Sequence, residues 1–220
     1  MKKNTKQKII DLAVDLFNKE GFAAISLQEL ADELGMSRGN LTYHFKDKKA
    51  LLQGITEQLW SKIEQERIKS RTFPSFQNLH HEVQLYYKIQ RAYTFIFLDT
   101  HVLKHPLVSD QFRKMTAQSI KDNKAGIALS IKLGNMKPEP FPGCYHHLSH
   151  TVWMLSFFWL AQQVMRGEKT EEDGEKMIWS TMLPHFTEKG LQAFKTFFGE
   201  DYYNNLGQSF ELDIEQLIAF

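Results

Sequence analysis

Only two residues, Gly35 and Met36, separate the end of one short helical stripe from the residue that caps the next. Leu27, Leu30, Ala31 and Leu34 recur at helical spacing. Ser26 precedes them, and Glu29 three residues later completes a capping box. Ile25 and Leu30 stand where a hydrophobic staple pairs. Gly35 supplies the left-handed exit that stops this helix. Ser37 then caps another, with Met36 and Leu41 as a second staple. So tight a connection forces the two helices to cross steeply, which is a helix-turn-helix.

The same punctuation extends in both directions. Ile9, Leu12, Ala13, Leu16 and Phe17 form one face of an earlier helix that Gly21 ends. Asp47 caps a fourth, longer helix with the stripe Leu52, Ile55, Leu59 and Ile63, running to about Ser70 as a connector. After the break at Thr72 to Pro74, helices are expected at about 75–104, 107–134, 144–166, 171–184 and 187–198, with a short one near 210–219. No alternating strand pattern exceeds a few residues, and no repeat is visible. The predicted fold is all-α: an amino-terminal three-helix helix-turn-helix domain joined by a long helix to a larger carboxy-terminal helical domain. The boundary is placed at residues 1–62 and 63–220.

Composition excludes several classes. The chain has 220 residues, 42% hydrophobic and 24% charged, with a net charge of +1, so any basic surface must be local. The single cysteine, Cys144, rules out an intramolecular disulfide framework and fits a reducing compartment. No secretory signal pattern opens the chain. The longest apolar run, Val152 to Ala161, falls well short of the roughly 20 residues a membrane span requires. A cytoplasmic protein with no membrane partner is expected. No P-loop, dinucleotide fingerprint or H-E-x-x-H sequence occurs, which argues against an enzyme.

The third helix carries the functional signal. At about 100° per residue Leu41 and Phe45 share a face that must pack inward. Gly39 and Tyr43 then point away, Asn40 lies beside them, and Thr42 and His44 flank them. A glycine in a helix costs about 1 kcal/mol relative to alanine, and close approach to a partner explains the cost. Asn40 suits adenine, Arg38 suits guanine or backbone, and Thr42 and Tyr43 suit phosphate or a thymine methyl. Lys46, Lys48 and Lys49 cluster at a helix start, the end that disfavours cations. A phosphate bound at that terminus accounts for them. Lys2, Lys3, Lys6 and Lys8 make a basic arm able to follow the DNA backbone or a groove. The competing reading is a helical protein-interaction scaffold that keeps the helix-turn-helix for packing.

Residues 5–55, and above all "SLQELADELGMSRGNLTYHFKDKKALL" (26–52), resemble the amino-terminal domain of the TetR family of bacterial transcriptional regulators. Ser26, Ser37, Gly39, Tyr43, His44, Phe45 and Lys48 occupy that family's usual positions, whereas Thr42 stands where a tyrosine is common. The resemblance implies a homodimeric, all-helical regulator of double-stranded DNA, more often a repressor. Its carboxy-terminal domain would bind an unidentified small-molecule effector, with no cofactor. It further implies that an effector tilts the helix from Lys48 to Ser70 and so changes the separation of two reading heads.

Beyond residue 60 composition is the only guide. All but four aromatic residues (Phe17, Phe22, Tyr43 and Phe45) follow residue 50, a density that serves either core or pocket. The helix at 144–166 is apolar on all sides through its middle, which places it at the subunit centre or against a second subunit. By the resemblance, this helix and the segment 171–198 form a four-helix dimer interface, with Trp153, Phe157, Trp159, Leu160 and Phe194 as its candidate residues. Histidines at i, i+4 spacing occur twice, His101 with His105 and His146 with His150, the second pair near Cys144 and His147. No carboxylate completes either set locally, so no metal site is assigned, and one thiol lacks a resolving partner for redox sensing.

Overall fold

The computed structural model describes residues 5–70, 75–166 and 174–209, and among them the regular elements are helical. Four helices open the chain: α1 (Thr5–Glu20), α2 (Leu27–Glu33), α3 (Arg38–His44) and α4 (Lys48–Ser70). They are followed by α5 (Phe76–Ala92), α6 (Thr94–Leu98), α7 (Thr100–Lys104), α8 (Pro106–Lys132), α9 (Cys144–Arg166), α10 (Gly174–Met182), α11 (Glu188–Phe198) and α12 (Glu200–Asn204). Short 3-10 turns occupy Leu183–His185 and Leu206–Ser209. The helix expected near 210–219 lies outside the described residues. None of the described helices is long and apolar enough to cross a membrane.

The segment expected as one helix over 75–104 is three. Tyr93 leaves the helical region (φ −129°, ψ 44°), and Asp99 is extended, its carboxylate accepting from the His101 and Val102 amides. Asn18 on α1 supplies partners that the first break removes. Its Nδ2 donates to the Ala92 carbonyl at 3.0 Å, and its Oδ1 accepts from the Phe95 amide at 3.1 Å. A side chain from 77 positions away makes that break affordable, and no local pattern announces it.

The chain divides into two compact units, residues 1–72 with 87–115, and residues 73–86 with 116–220. The first is built on Ile9, Ala13, Phe17, Leu30, Leu41, Leu51, Leu52, Ile55, Leu59 and Ile96, all fully buried. Phe17 packs edge-on against Phe22 and Phe95. The second holds an aromatic cluster in which Trp179 and Phe194 are fully buried and Phe76 and Phe198 pack on them at 4.7–5.7 Å between ring centroids. Within it Glu175 is fully buried. Trp179 Nε1 and Gln84 Nε2 donate to its carboxylate at 2.9 and 3.0 Å, and His80 Nδ1 lies 2.6 Å away. Those donors make a buried carboxylate tolerable.

In the same unit the connection between α8 and α9 is stitched to the turn before α11. Met136 and Phe186 form an isolated bridge, Lys137 N donates to His185 O at 2.8 Å, and Thr187 N donates to Asn135 O at 3.0 Å. Thr187 also caps α11 by accepting from the Gly190 amide, while its hydroxyl donates to Gly134 O. Gly190 faces the Asn135 carbonyl so closely that a methyl there would overlap backbone. Gly190→Ala is therefore expected to lower unfolding free energy by about 2 kcal/mol or more despite the helix propensity gained. Urea denaturation is the check. An unchanged midpoint would mean that this connection is not held as described.

Candidate nucleic-acid interface

The helix-turn-helix forms as its caps require. Ser26 Oγ accepts from the Glu29 amide at 3.2 Å, and Glu29 Oε2 accepts from the Ser26 amide at 2.6 Å, closing the capping box. Hydrogen bonding from Ser26 to the carboxyl, from the backbone amide first and the side chain second, holds Glu29 below the usual carboxylate range. Gly35 has φ +62°. Ser37 is extended, and its Oγ accepts from the Asn40 amide at 3.2 Å. Of the residues expected as staples, Ile25, Leu30 and Leu41 are buried and Met36 is half-buried.

Leu41 and Phe45 turn inward, at 0% and 3% exposure, and the opposite face of α3 meets solvent. Tyr43 is 85% exposed, its ring edge-on to His44 at 5.3 Å. Ser26, Ser37, Arg38, Gly39 and Asn40 are exposed, while Thr42 and His44 are half-buried. Gly39 has an ordinary backbone, and a methyl built there meets nothing nearer than Ser37 Oγ at 3.9 Å. Nothing inside the chain requires glycine at this position. The Thr42 hydroxyl donates to the Gly39 carbonyl at 3.1 Å.

The three lysines behave differently from one another. Lys46 and Lys49 are exposed. Lys48 is half-buried: its Nζ donates to Ala23 O at 3.3 Å and lies over the Phe22 and Phe17 rings at 4.6 and 5.6 Å. Burial pushes its pKa down, and Glu29 partly offsets this. It therefore fastens the α1–α2 connection to α4 through a cation–π contact. The sequence did not reveal this, because the partners lie some 25 positions away. Asp47 caps α4, Oδ1 accepting from the Ala50 amide at 2.7 Å. A shallow hollow opens between residues 23–27, Arg38 and residues 46–48, with Arg38, Lys46 and Lys48 as its cations and Asp47 as its one acid. Arg38 and Lys46, separate in sequence, thus share one concave surface.

The basic arm is corrected in part. Lys6 and Lys8 are exposed residues of α1, with Lys6 Nζ 5.5 Å from the centre of the Phe45 ring, whereas Lys2 and Lys3 lie outside the described residues. In the second unit, Trp159 and Phe194 are spent in the chain's own core, at 3% and 0% exposure, and Trp153, Phe157 and Leu160 are half-buried. The outward row on α9 is instead Met154, Phe158 and Met165, the last 86% exposed. The helix that looked apolar all round has one face left in solvent in this chain.

Two family models match this chain. One, described as bacterial regulatory proteins of the tetR family, covers residues 9–55, and the other, a bacterial transcriptional repressor, covers residues 43–194. The transcriptional regulator QacR of Staphylococcus aureus is 32% identical over 144 residues, 62% of this chain and 73% of that one. Two further relatives match over about 50 residues, and the chain spans only 18% and 25% of their lengths. Among solved structures, a TetR-family regulator from Marinobacter aquaeolei superposes with a TM-score of 0.77 at 20% identity, covering 91% of this chain and 99% of that one. SmeT, repressor of a Stenotrophomonas maltophilia multidrug efflux pump, solved with triclosan, gives 0.63 at 16%, covering 84% and 93%. These last two likenesses establish the fold. With the helix-turn-helix, the repressor match and the QacR relationship together, the chain belongs to the TetR family of bacterial transcriptional regulators, which are not enzymes.

Proposed function

We propose that this chain is a cytoplasmic, ligand-responsive repressor that binds a dyad-symmetric operator as a homodimer. The outer face of α3, with Arg38, Gly39, Asn40 and Tyr43, enters the major groove, and the hollow bounded by Arg38, Lys46 and Lys48 seats a backbone phosphate. The observation that carries this reading is Gly39. It costs helix stability, has no partner or strained backbone to excuse it, and sits beside a tyrosine left 85% in water. A duplex pressed against that surface accounts for both.

The face of α9 bearing Met154 and Phe158, flanked by half-buried Trp153 and Phe157, supports a second copy as its cover. SmeT is solved with triclosan, and the aromatic content of the second unit suits a small apolar effector. To release operator, such an effector must bind one of two states of the dimer more tightly than the other.

Four outcomes are expected. Lys46→Ala should weaken binding to all sequences alike and reduce the slope of log affinity against log salt by about 1. Asn40→Ala or Tyr43→Ala should lose operator more than random DNA, by about 1–3 kcal/mol, in fluorescence anisotropy. Equal loss on both would refute base contact by that residue. Gly39→Ala separates stability from function: the variant should melt at the same temperature or higher, gaining up to about 1 kcal/mol, yet bind operator more weakly. Unimpaired binding would remove the case for close approach. Replacing Phe158 with aspartate should yield monomers in sedimentation, and an unchanged dimer mass would exclude this face.

A further inference from the structure

Three histidines crowd the first two turns of α9. His146 and His150 lie one turn apart with ring centroids 4.4 Å from each other, and the His147 ring is 6.0 Å from His146. His146 and His147 are exposed, and His150 is half-buried. Nδ1 of His150 sits 2.9 Å from the His146 carbonyl oxygen. A carbonyl only accepts, so Nδ1 carries the proton and Nε2 keeps its lone pair. A histidine that anchors one nitrogen on a carbonyl and offers the other is oriented as metal ligands are.

The other pair with this spacing does not assemble. α7 ends at Lys104, His105 has extended backbone (ψ 131°), and its Nδ1 accepts from the Leu107 amide at 3.3 Å. His101 and His105 therefore do not share a helical face, and the pair on α9 differs from them in structure though not in sequence.

We propose that His146 and His150 form a two-imidazole chelate for a borderline divalent cation, taken in the order Cu2+, then Ni2+, then Zn2+, with water completing the coordination. Among the described residues no group of three ligands is set to hold an ion, so the site consists of two imidazoles one helical turn apart, of which His150 is anchored through Nδ1. His147, exposed and three positions before His150, is a third donor available by side-chain rotation. Oxygen-preferring Mg2+ and Ca2+ are disfavoured, because the carboxylate nearest in sequence, Glu139, accepts from the Tyr145 amide at 2.8 Å. Lys124 beside His146, with desolvation and the His150 and His147 rings after it, lowers that imidazole's pKa. The same ammonium repels a cation, which favours the metal with the strongest imidazole bonds. His146 and His150 also begin the row that continues through Met154 and Phe158, so an ion would sit at the amino-terminal end of the exposed face of α9.

The test uses the full chain without an affinity tag, stripped with chelator and titrated calorimetrically with each of the three ions alone. One Cu2+ per chain is expected, binding more tightly than Ni2+ or Zn2+. His146→Ala and His150→Ala should each weaken Cu2+ binding by on the order of 10²-fold, the advantage of a second tethered ligand. His101→Ala should leave it unchanged. With Zn2+, the Nε2 resonances of His146 and His150 should shift in histidine nitrogen NMR while Nδ1 of His150 stays protonated. If His150→Ala fails to fold, His146→Ala at the exposed position carries the comparison. Copper affinity that survives in the His146→Ala, His150→Ala double variant, or zinc shifts confined to other histidines, would overturn the assignment.

Discussion

The proposed recognition surface depends on the burial of two side chains, Leu41 and Phe45. A helix of seven residues is far below the length that is stable alone in water. Its caps hold its ends, but only burial fixes which way it faces. Leu41 is fully enclosed, and Phe45 fills space that α4 leaves at Gly54, where a methyl would come within 2.8 Å of the ring. Once these two are seated, the helical repeat points Gly39, Asn40 and Tyr43 outward without further choice. The aim of the polar face follows from the packing of the apolar one.

Local signals in this chain were legible because their partners are close in sequence. The capping box needs only Ser26 and Glu29, the turn only Gly35, and the α4 cap only Asp47 and Ala50. What stayed hidden is held together over long separations. Lys48 gives its ammonium to Ala23 and the Phe22 ring, Asn18 completes the break at Tyr93, and the Glu175 carboxyl is partnered by His80 and Gln84 of α5. Some signals were present and unread. His105 precedes Pro106, and a residue before proline is turned away from helical backbone, which separates it from His101. Asp99 likewise stands as an acid ahead of a helix, as a cap does.

A net charge of +1 conceals a divided surface. Around the start of α4 lie four cations, Arg38, Lys46, Lys48 and Lys49, against Asp47 and the Glu29 carboxylate tied to Ser26. Asp47 is needed to cap a 23-residue helix, so the site carries an acid where a polyanion would prefer none. Lys48, partly desolvated over two rings, stabilises the fold more than it attracts from a distance. The long-range pull therefore rests on Arg38, Lys46 and Lys49, whose charges stay in solvent and are the ones that salt screens.

On α9 adjacent residues have opposite fates. Trp159 is enclosed, and Phe158, one position earlier, stands 47% exposed. A rotation of 100° between neighbours explains how one apolar run supplies both a core and a surface. The enclosed side includes Leu148, Val152 and Trp159, and the open side Met154, Phe158 and Met165. Methionine at two of the three open positions matters, because an unbranched thioether reshapes itself to a cover more readily than a branched side chain does. Isolated apolar residues in water need no explanation, but a row of three over three turns of one helix does. Hydropathy cannot separate the two sides, since both are apolar. Only the position of the chain's own core tells which side is already taken.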